Sequence, residues 1–177
     1  MFLSSAAWAA GESKPAIGVA VPLSGDYADL GKQVLEAVEM AADDVGIRVV
    51  HADTRGTPVG AMKAIRKLAG NSNVIAILGP LGHRESRAAA GAAQRAGIPL
   101  FSFAGSSSIN RAGGWVFRVR QSPAERARTF GRVAHEKLGL DSVGIFFPEN
   151  DSGMEAAVAF ARAFEKAGGR VTAVSSY

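Results

Sequence analysis

The segment from Ile17 to Val45 constrains the fold more than any other part of the chain. An apolar run, Ile17 to Val21, is cut off by Pro22 and followed by the polar turn Ser24-Gly25-Asp26. Apolar residues then return at Leu30, Val34, Val38, Ala41 and Val45. The run reads as a buried strand, and the three-or-four spacing that follows is one face of a helix. A strand feeding a short polar loop and then an amphipathic helix is the unit of an open α/β sheet, in which ligands collect at loops beyond the carboxyl ends of the strands.

The unit repeats. Ile47 to Ala52 reads as a second strand with the exit loop Asp53-Thr54-Arg55-Gly56, and Thr57-Pro58 supplies an N-cap and a first helical residue. That helix turns Ala61, Met62, Ile65 and Leu68 inward and ends near Gly70-Asn71. Val74 to Leu78 is continuously apolar, as in a strand covered on both faces. Gly79-Pro80-Leu81-Gly82 then leads into a helix reaching Ala96, closed by Gly97, and Leu100 to Ala104 is the next strand. Such alternation predicts right-handed βαβ units and a parallel sheet.

The rhythm breaks between Ala104 and Val116, where Gly105 and Ser106-Ser107-Ser108 open a loop with no helical pattern. A strand at Val116 to Arg120 follows. Ser122-Pro123-Ala124-Glu125 then starts a helix with a capping box, and Ala127, Phe130, Ala134 and Leu138 form its expected buried stripe before Gly139 ends it. Ser142 to Phe147 is a strand with the exit loop Pro148 to Gly153. Met154, Val158, Ala161 and Phe164 mark another helix, closed by Gly168-Gly169, and Arg170 to Ser175 begins a last strand. The break suggests a crossing between lobes around Gln121 to Pro123. It divides the chain into a terminal segment 1–14, a first lobe 15–121 and a partial second lobe 122–177.

With 47% hydrophobic and 20% charged residues, the chain can bury a core and is not of the disordered class. It has no cysteine, which excludes disulfides and cysteine-ligated zinc. The net charge of +4 comes largely from Arg118, Arg120, Arg126, Arg128, Arg132 and Lys137, scattered without interleaved aromatics; this reads as a solvated helix face, and no nucleic-acid partner is expected. Ala7-Trp8-Ala9 before Ala10 resembles an export cleavage site, so residues 1–14 are either the remnant of a secretory signal or a disordered terminus.

Several blocks occur together: Pro-Leu-Ser-Gly from Pro22, Ile-Leu-Gly-Pro from Ile77, Gly-Ile-Pro-Leu from Gly97, Val-Phe-Arg from Val116, and Phe-Pro-Glu-Asn-Asp-Ser-Gly from Phe147. In order and spacing they resemble the type 1 periplasmic binding proteins, the leucine-binding-protein class, over nearly all of Ala16 to Tyr177. The later blocks are similar to the penicillin-binding-protein activators. The resemblance implies a bilobed α/β fold of doubly wound parallel sheets, with the second lobe incomplete in this chain. It implies an exported protein of the periplasm or cell envelope that binds a small polar solute, an amino acid or a carboxylate, for the membrane subunits of an ABC transporter. The alternative it carries is an envelope module with a vestigial cleft, whose partner is a penicillin-binding protein.

By position, the resemblance places the ligand's carboxylate against Leu81-Gly82-His83-Arg84 and Ala104-Gly105-Ser106-Ser107. The Ala104 carbonyl and the Ser106 and Ser107 hydroxyls and amides would make contact, Ser24 and Tyr27 would form the rim, and Asp151 would be a further ligand-binding residue. His83 and Arg84 stand where a small residue is usual, and Ser152 where an aromatic lid is usual. On their own chemistry, Asp53 and Asp151 at strand exits could serve as bases but better suit turns and caps, Tyr27 a partly buried packing role, His83 an exposed helix start, His51 an ordinary strand position and His135 a helix surface. No Gly-x-Gly-x-x-Gly follows a strand, and no P-loop or Gly-x-Ser-x-Gly occurs. The expectation is therefore a non-catalytic protein that needs no cofactor and no metal.

Overall fold

Among the residues that the computed structural model describes, 14–105 and 109–177, seven strands alternate with five helices. They are β1 (Ala16–Val21), α1 (Ala28–Asp44), β2 (Arg48–Asp53), α2 (Pro58–Ala69), β3 (Val74–Leu78), α3 (His83–Ala96), β4 (Leu100–Ser102), β5 (Val116–Arg118), α4 (Pro123–Glu136), β6 (Ser142–Phe147), α5 (Asp151–Lys166) and β7 (Arg170–Ser176). A short 3-10 turn at Ile109–Ala112 interrupts the stretch expected to be plain loop. Strand β4 ends two residues before the expected Ala104, and β5 two before Arg120.

The chain divides into two compact units. One runs to Ala104 and resumes through Val119; the other takes Gly105 and everything from Arg120 to Tyr177. The first contains a five-stranded, wholly parallel sheet in the order β2-β1-β3-β4-β5. From β1 the chain steps to β2 on one side, then back past β1 to β3. With right-handed crossovers, that reversal places α1 on one face and α2 and α3 on the other. The core lies under α2 and α3. Ala16 and Ala20 of β1 and Ile77 of β3 meet Ala61, Ile65 and Leu68 of α2 and Ala89 and Ala93 of α3.

Helix α1 departs from expectation. Gly31 and Ala42 are its buried residues, Val34 and Val38 are half-buried, and Leu30, Ala41 and Val45 are exposed, Val45 by 75%. Among the described residues α1 packs only on β1 and β2. Its apolar stripe is wider than that contact. The helix is seated by a close approach: a Cβ on Gly31 would overlap the Pro22 carbonyl oxygen and lie 2.7 Å from the carbonyl carbon. The same device recurs where Gly60 of α2 rests on the Thr54 carbonyl and Gly153 of α5 on the Pro148 carbonyl.

The second unit pairs β6 and β7 in parallel beside α4 and α5. Here the expected stripes hold in part: Ala127, Ala134 and Phe164 are buried, and the rest are not. Phe130, Leu138, Met154 and Val158 are exposed, and Ala161 is half-buried. The residues buried along α4 are small: Ala124, Ala127, Gly131 and Ala134. The cause is how closely the helices meet, since a Cβ on Gly131 would lie 2.6 Å from the Phe160 carbonyl oxygen. A phenylalanine cannot fit at that separation, so Phe130 turns outward. Phe164 is fully buried, stacked on Phe160 (centroids 5.8 Å) and met edge-on by His135 (6.0 Å). His135 is thus a packing residue, half-buried, with Nδ1 2.9 Å from the Leu140 carbonyl oxygen.

Candidate functional site

The sheet order fixes where a site can form. β1 and β3 are neighbours, but β1 exits toward α1 on one face and β3 toward α3 on the other. The chain therefore parts at their carboxyl ends, the topological switch point at which open α/β sheets take ligands. Ser24 and Tyr27 lie on the first exit and Gly82 and His83 on the second, while Ala104 lies just past β4, the next strand. The fold thus brings five of the anticipated residues to one edge of one sheet. Gly105 and Asp151 belong to the second unit. Ser106 and Ser107 lie outside the described residues.

The first exit is held by Asp53, at the end of β2. Its Oδ1 accepts from the Leu23 and Arg55 amides (both 2.8 Å), and its Oδ2 accepts from the Ser24 hydroxyl (2.6 Å). Burial acts to raise the Asp53 pKa. The hydrogen bonds from Ser24, Leu23 and Arg55 outweigh it and hold the carboxyl below the ordinary aspartate value, which makes it a clasp and a poor base. One consequence concerns Ser24. Its only hydroxyl proton is committed to Asp53, so it can accept from a ligand but not donate to one. Tyr27 is not the partly buried packing residue anticipated: its side chain is 62% exposed at the head of α1.

The second exit is built more firmly. Gly79 has φ +103, and a Cβ there would overlap the Ala20 carbonyl oxygen, so only glycine fits. His83 opens α3 and is exposed, as expected. Beneath it is a buried polar network that the sequence reading missed. Glu85 accepts from the Thr54 hydroxyl (2.6 Å) through Oε1 and from the Gly82 amide (3.2 Å) through Oε2. The Ser86 hydroxyl donates to the Pro80 carbonyl (3.3 Å), Ser102 donates to Ser86 (2.9 Å), and the Ala104 amide donates to Ser102 (3.2 Å). The exits of β2, β3 and β4 are therefore tied through the first turn of α3. Two signals could have found this: the Gly82-x-x-Glu85 spacing at a helix start and the polar Ser102 inside an apolar strand.

In the second unit, Asn150 does the capping, its Oδ1 accepting from the Gly153 amide (2.9 Å). Asp151 is the exposed first residue of α5, where a carboxylate complements the helix dipole. Ser152 is half-buried. Among the described residues no group of three or more His, Cys, Asp or Glu is placed to hold a metal, and no helix is long and apolar enough to cross a membrane.

The family model for periplasmic binding proteins matches residues 14–177. The chain belongs to that family. A comparison with curated protein sequences returns no match. Solved structures agree on the fold. One is a putative branched-chain amino acid ABC transporter protein from Rhodospirillum rubrum, with 25% identity and TM-score 0.82 over 93% of this chain and 50% of that one. Another is the solute-binding protein of an ABC transporter from Rhodopseudomonas palustris BisB5 in complex with 3,4-dihydroxybenzoic acid, with 25% identity and TM-score 0.78 over 93% and 47%. A third is a branched-chain amino acid transporter substrate-binding protein from Streptococcus pneumoniae in complex with isoleucine, with 22% identity and TM-score 0.72 over 93% and 50%. The chain spans about half the length of these proteins. The α/β fold of parallel sheets is that of the type 1 periplasmic binding proteins, with only two strands of the second lobe present here. None of the three is a penicillin-binding-protein activator, and nothing in them favours that alternative.

Proposed function

We propose that this chain is the first lobe and part of the second lobe of an exported, non-catalytic solute-binding protein that delivers a small carboxylate-bearing solute to an ABC transporter. Family membership supports the general role. The observation that carries the ligand class is the β1/β3 switch point beside the first turn of α3, where the positive end of the helix dipole favours an anionic group. Isoleucine and 3,4-dihydroxybenzoic acid, found with two relatives, share a carboxyl group and little else.

In this reading the carboxylate meets Gly82, His83 and the Ala104–Ser107 loop, with Ser106 and Ser107 as hydroxyl donors. Ser24, which can only accept, takes a hydroxyl or ammonium proton from the other end of the solute, beside Tyr27. Asp151 is the candidate contact that the second unit contributes by its place in the sequence. Ser106→Ala and Ser107→Ala each remove a hydrogen bond to a charged group, worth roughly 1.5–3 kcal/mol, or about a tenfold to hundredfold loss of affinity. The test is calorimetric titration of the protein with isoleucine and with 3,4-dihydroxybenzoate. Binding of either, weakened by both substitutions with the fold intact, is the expected result. Serine variants that bind like the parent would place the site elsewhere.

A further inference from the structure

The first unit is electrically two-faced. Helix α1, on one face of the sheet, carries Asp29, Glu36, Glu39, Asp43 and Asp44 against a single Lys32, which Asp29 already approaches at 4.0 Å. The opposite face, formed by α2 and α3 packed side by side, is the reverse. Lys63, Arg66 and Lys67 lie on α2 and Arg55 just before it, all exposed, with no acidic residue on the helix. Arg84, Arg87 and Arg95 lie along the exposed side of α3, whose one carboxyl group, Glu85, is buried inward. None of these seven cations forms an ion pair among the described residues. At the β2 edge of this face a hollow of about 390 Å3 is lined by Arg55, Lys63 and Lys67, together with Asp53, Thr57 and Val59. The Asp53 oxygens there are already taken by Leu23, Ser24 and Arg55.

We propose that the α2/α3 face docks on an anionic lipid surface, with the hollow taking a headgroup phosphate. Three observations favour that partner. The cations are spread over two helices lying flat on a sheet, a geometry matched to the diffuse charge of a headgroup plane. The face lacks the apolar or aromatic centre that anchors a protein interface: Val59 is the only large hydrophobic residue exposed on either helix. Neither helix stands free to enter a nucleic-acid groove, because both bury their inner sides against the sheet. The acidic α1 on the far side adds orientation: near a negative surface the unit turns its basic face inward and α1 outward.

The test is sedimentation of the protein with vesicles of phosphatidylcholine alone and of phosphatidylcholine with an equal part of phosphatidylglycerol. Binding is expected only to the anionic vesicles, and its loss in about 0.5 M salt, where screening is nearly complete over a few ångströms. The triple variant Lys63→Glu/Lys67→Glu/Arg87→Glu should lose at least tenfold in apparent affinity. The control Arg162→Glu/Lys166→Glu, on α5, should bind like the parent; circular dichroism checks that both fold. Inorganic phosphate in millimolar excess should compete only weakly, because one ion reproduces one headgroup and not the plane. Equal binding to both vesicle types, no binding to either, or equal loss in the control variant would overturn the proposal. So would retention on polyglutamate or duplex DNA at a salt concentration where anionic vesicles do not bind, since either would name a different partner. The solute-binding reading stands or falls separately, in the calorimetric titration.

Discussion

Gly31→Ala tests how α1 is seated. In an ordinary helical position, replacing glycine with alanine gains up to about 1 kcal/mol from backbone entropy. At Gly31 the new methyl would overlap the Pro22 carbonyl oxygen and lie 2.7 Å from its carbon, whereas carbon atoms in contact prefer about 3.5–4.0 Å. The helix must lift by roughly 1 Å, away from the sheet face on which Val19 and Val21 are fully buried. Overpacking of this kind costs about 1–3 kcal/mol, so the net change is a destabilisation of about 1–2 kcal/mol after the helical gain. Gly91, within α3, provides the opposite case. A methyl there meets only the end of the Arg95 side chain, 3.4 Å away and free to move. Gly91→Ala should therefore stabilise by about 0.5–1 kcal/mol. Urea unfolding followed by circular dichroism reads both. With a slope of about 1–3 kcal/mol per molar urea, the two midpoints should separate by about 1 M, Gly31→Ala below the parent and Gly91→Ala above it. A Gly31→Ala midpoint at or above the parent's refutes the reasoning, because the carbonyl contact would then impose no limit on the helix.

Three further outcomes follow from the polar clasps and the second sheet. The Asp53 pKa is held below its unperturbed 3.8, so its clasp adds stability that is present above that pH and is lost as pH falls through the folded value. Asp53→Asn should accordingly flatten the urea midpoint's decline as pH falls below about 4, and an unchanged decline would show that the clasp does not contribute. Glu85→Ala strands the buried Thr54 hydroxyl and the Gly82 amide, at a cost of about 1–3 kcal/mol each if left unpaired, read as a lower thermal midpoint. Amide hydrogen exchange should protect β3 more than β6, because among the described residues β3 lies inside a five-stranded sheet and β6 pairs with one strand; equal protection would contradict this.

The frame was legible in the sequence because two kinds of signal agreed. Apolar runs marked β3 and β6 with the bounds observed and β1 to within one residue, and caps marked the helix starts. Thr57 accepts from the Gly60 amide (3.0 Å), and Ser122 and Glu125 form the reciprocal box (3.1 and 2.6 Å). Burial was less legible, because periodicity shows which side of a helix is apolar but not how close its neighbour comes. Phe130 and Leu138 matched the stripe, yet α4 buries its alanines and Gly131 instead. At the site, the sequence pointed to the exit loops at the switch point but not to what holds them. The Gly82-x-x-Glu85 spacing and a polar Ser102 mark those side chains, but not the distant partners they tie, Thr54 to Glu85 and Ser102 to Ser86. Tyr27 was misplaced for a related reason: nothing in its neighbourhood indicates whether another element arrives to cover it.

The glycines under α1, α2 and α5 have a consequence for how such a protein diversifies. Each helix is registered against a carbonyl at its own strand exit, on Pro22, Thr54 or Pro148, and the residues between that carbonyl and the glycine form a loop whose two ends are already fixed. The three loops differ in length and sequence, yet all end in the same contact. Selection can therefore rewrite the tip of such a loop without moving the axis of the helix behind it. The contacts separate the parts of the chain that can drift from the parts that must stay, so one scaffold can acquire new specificities by small local steps.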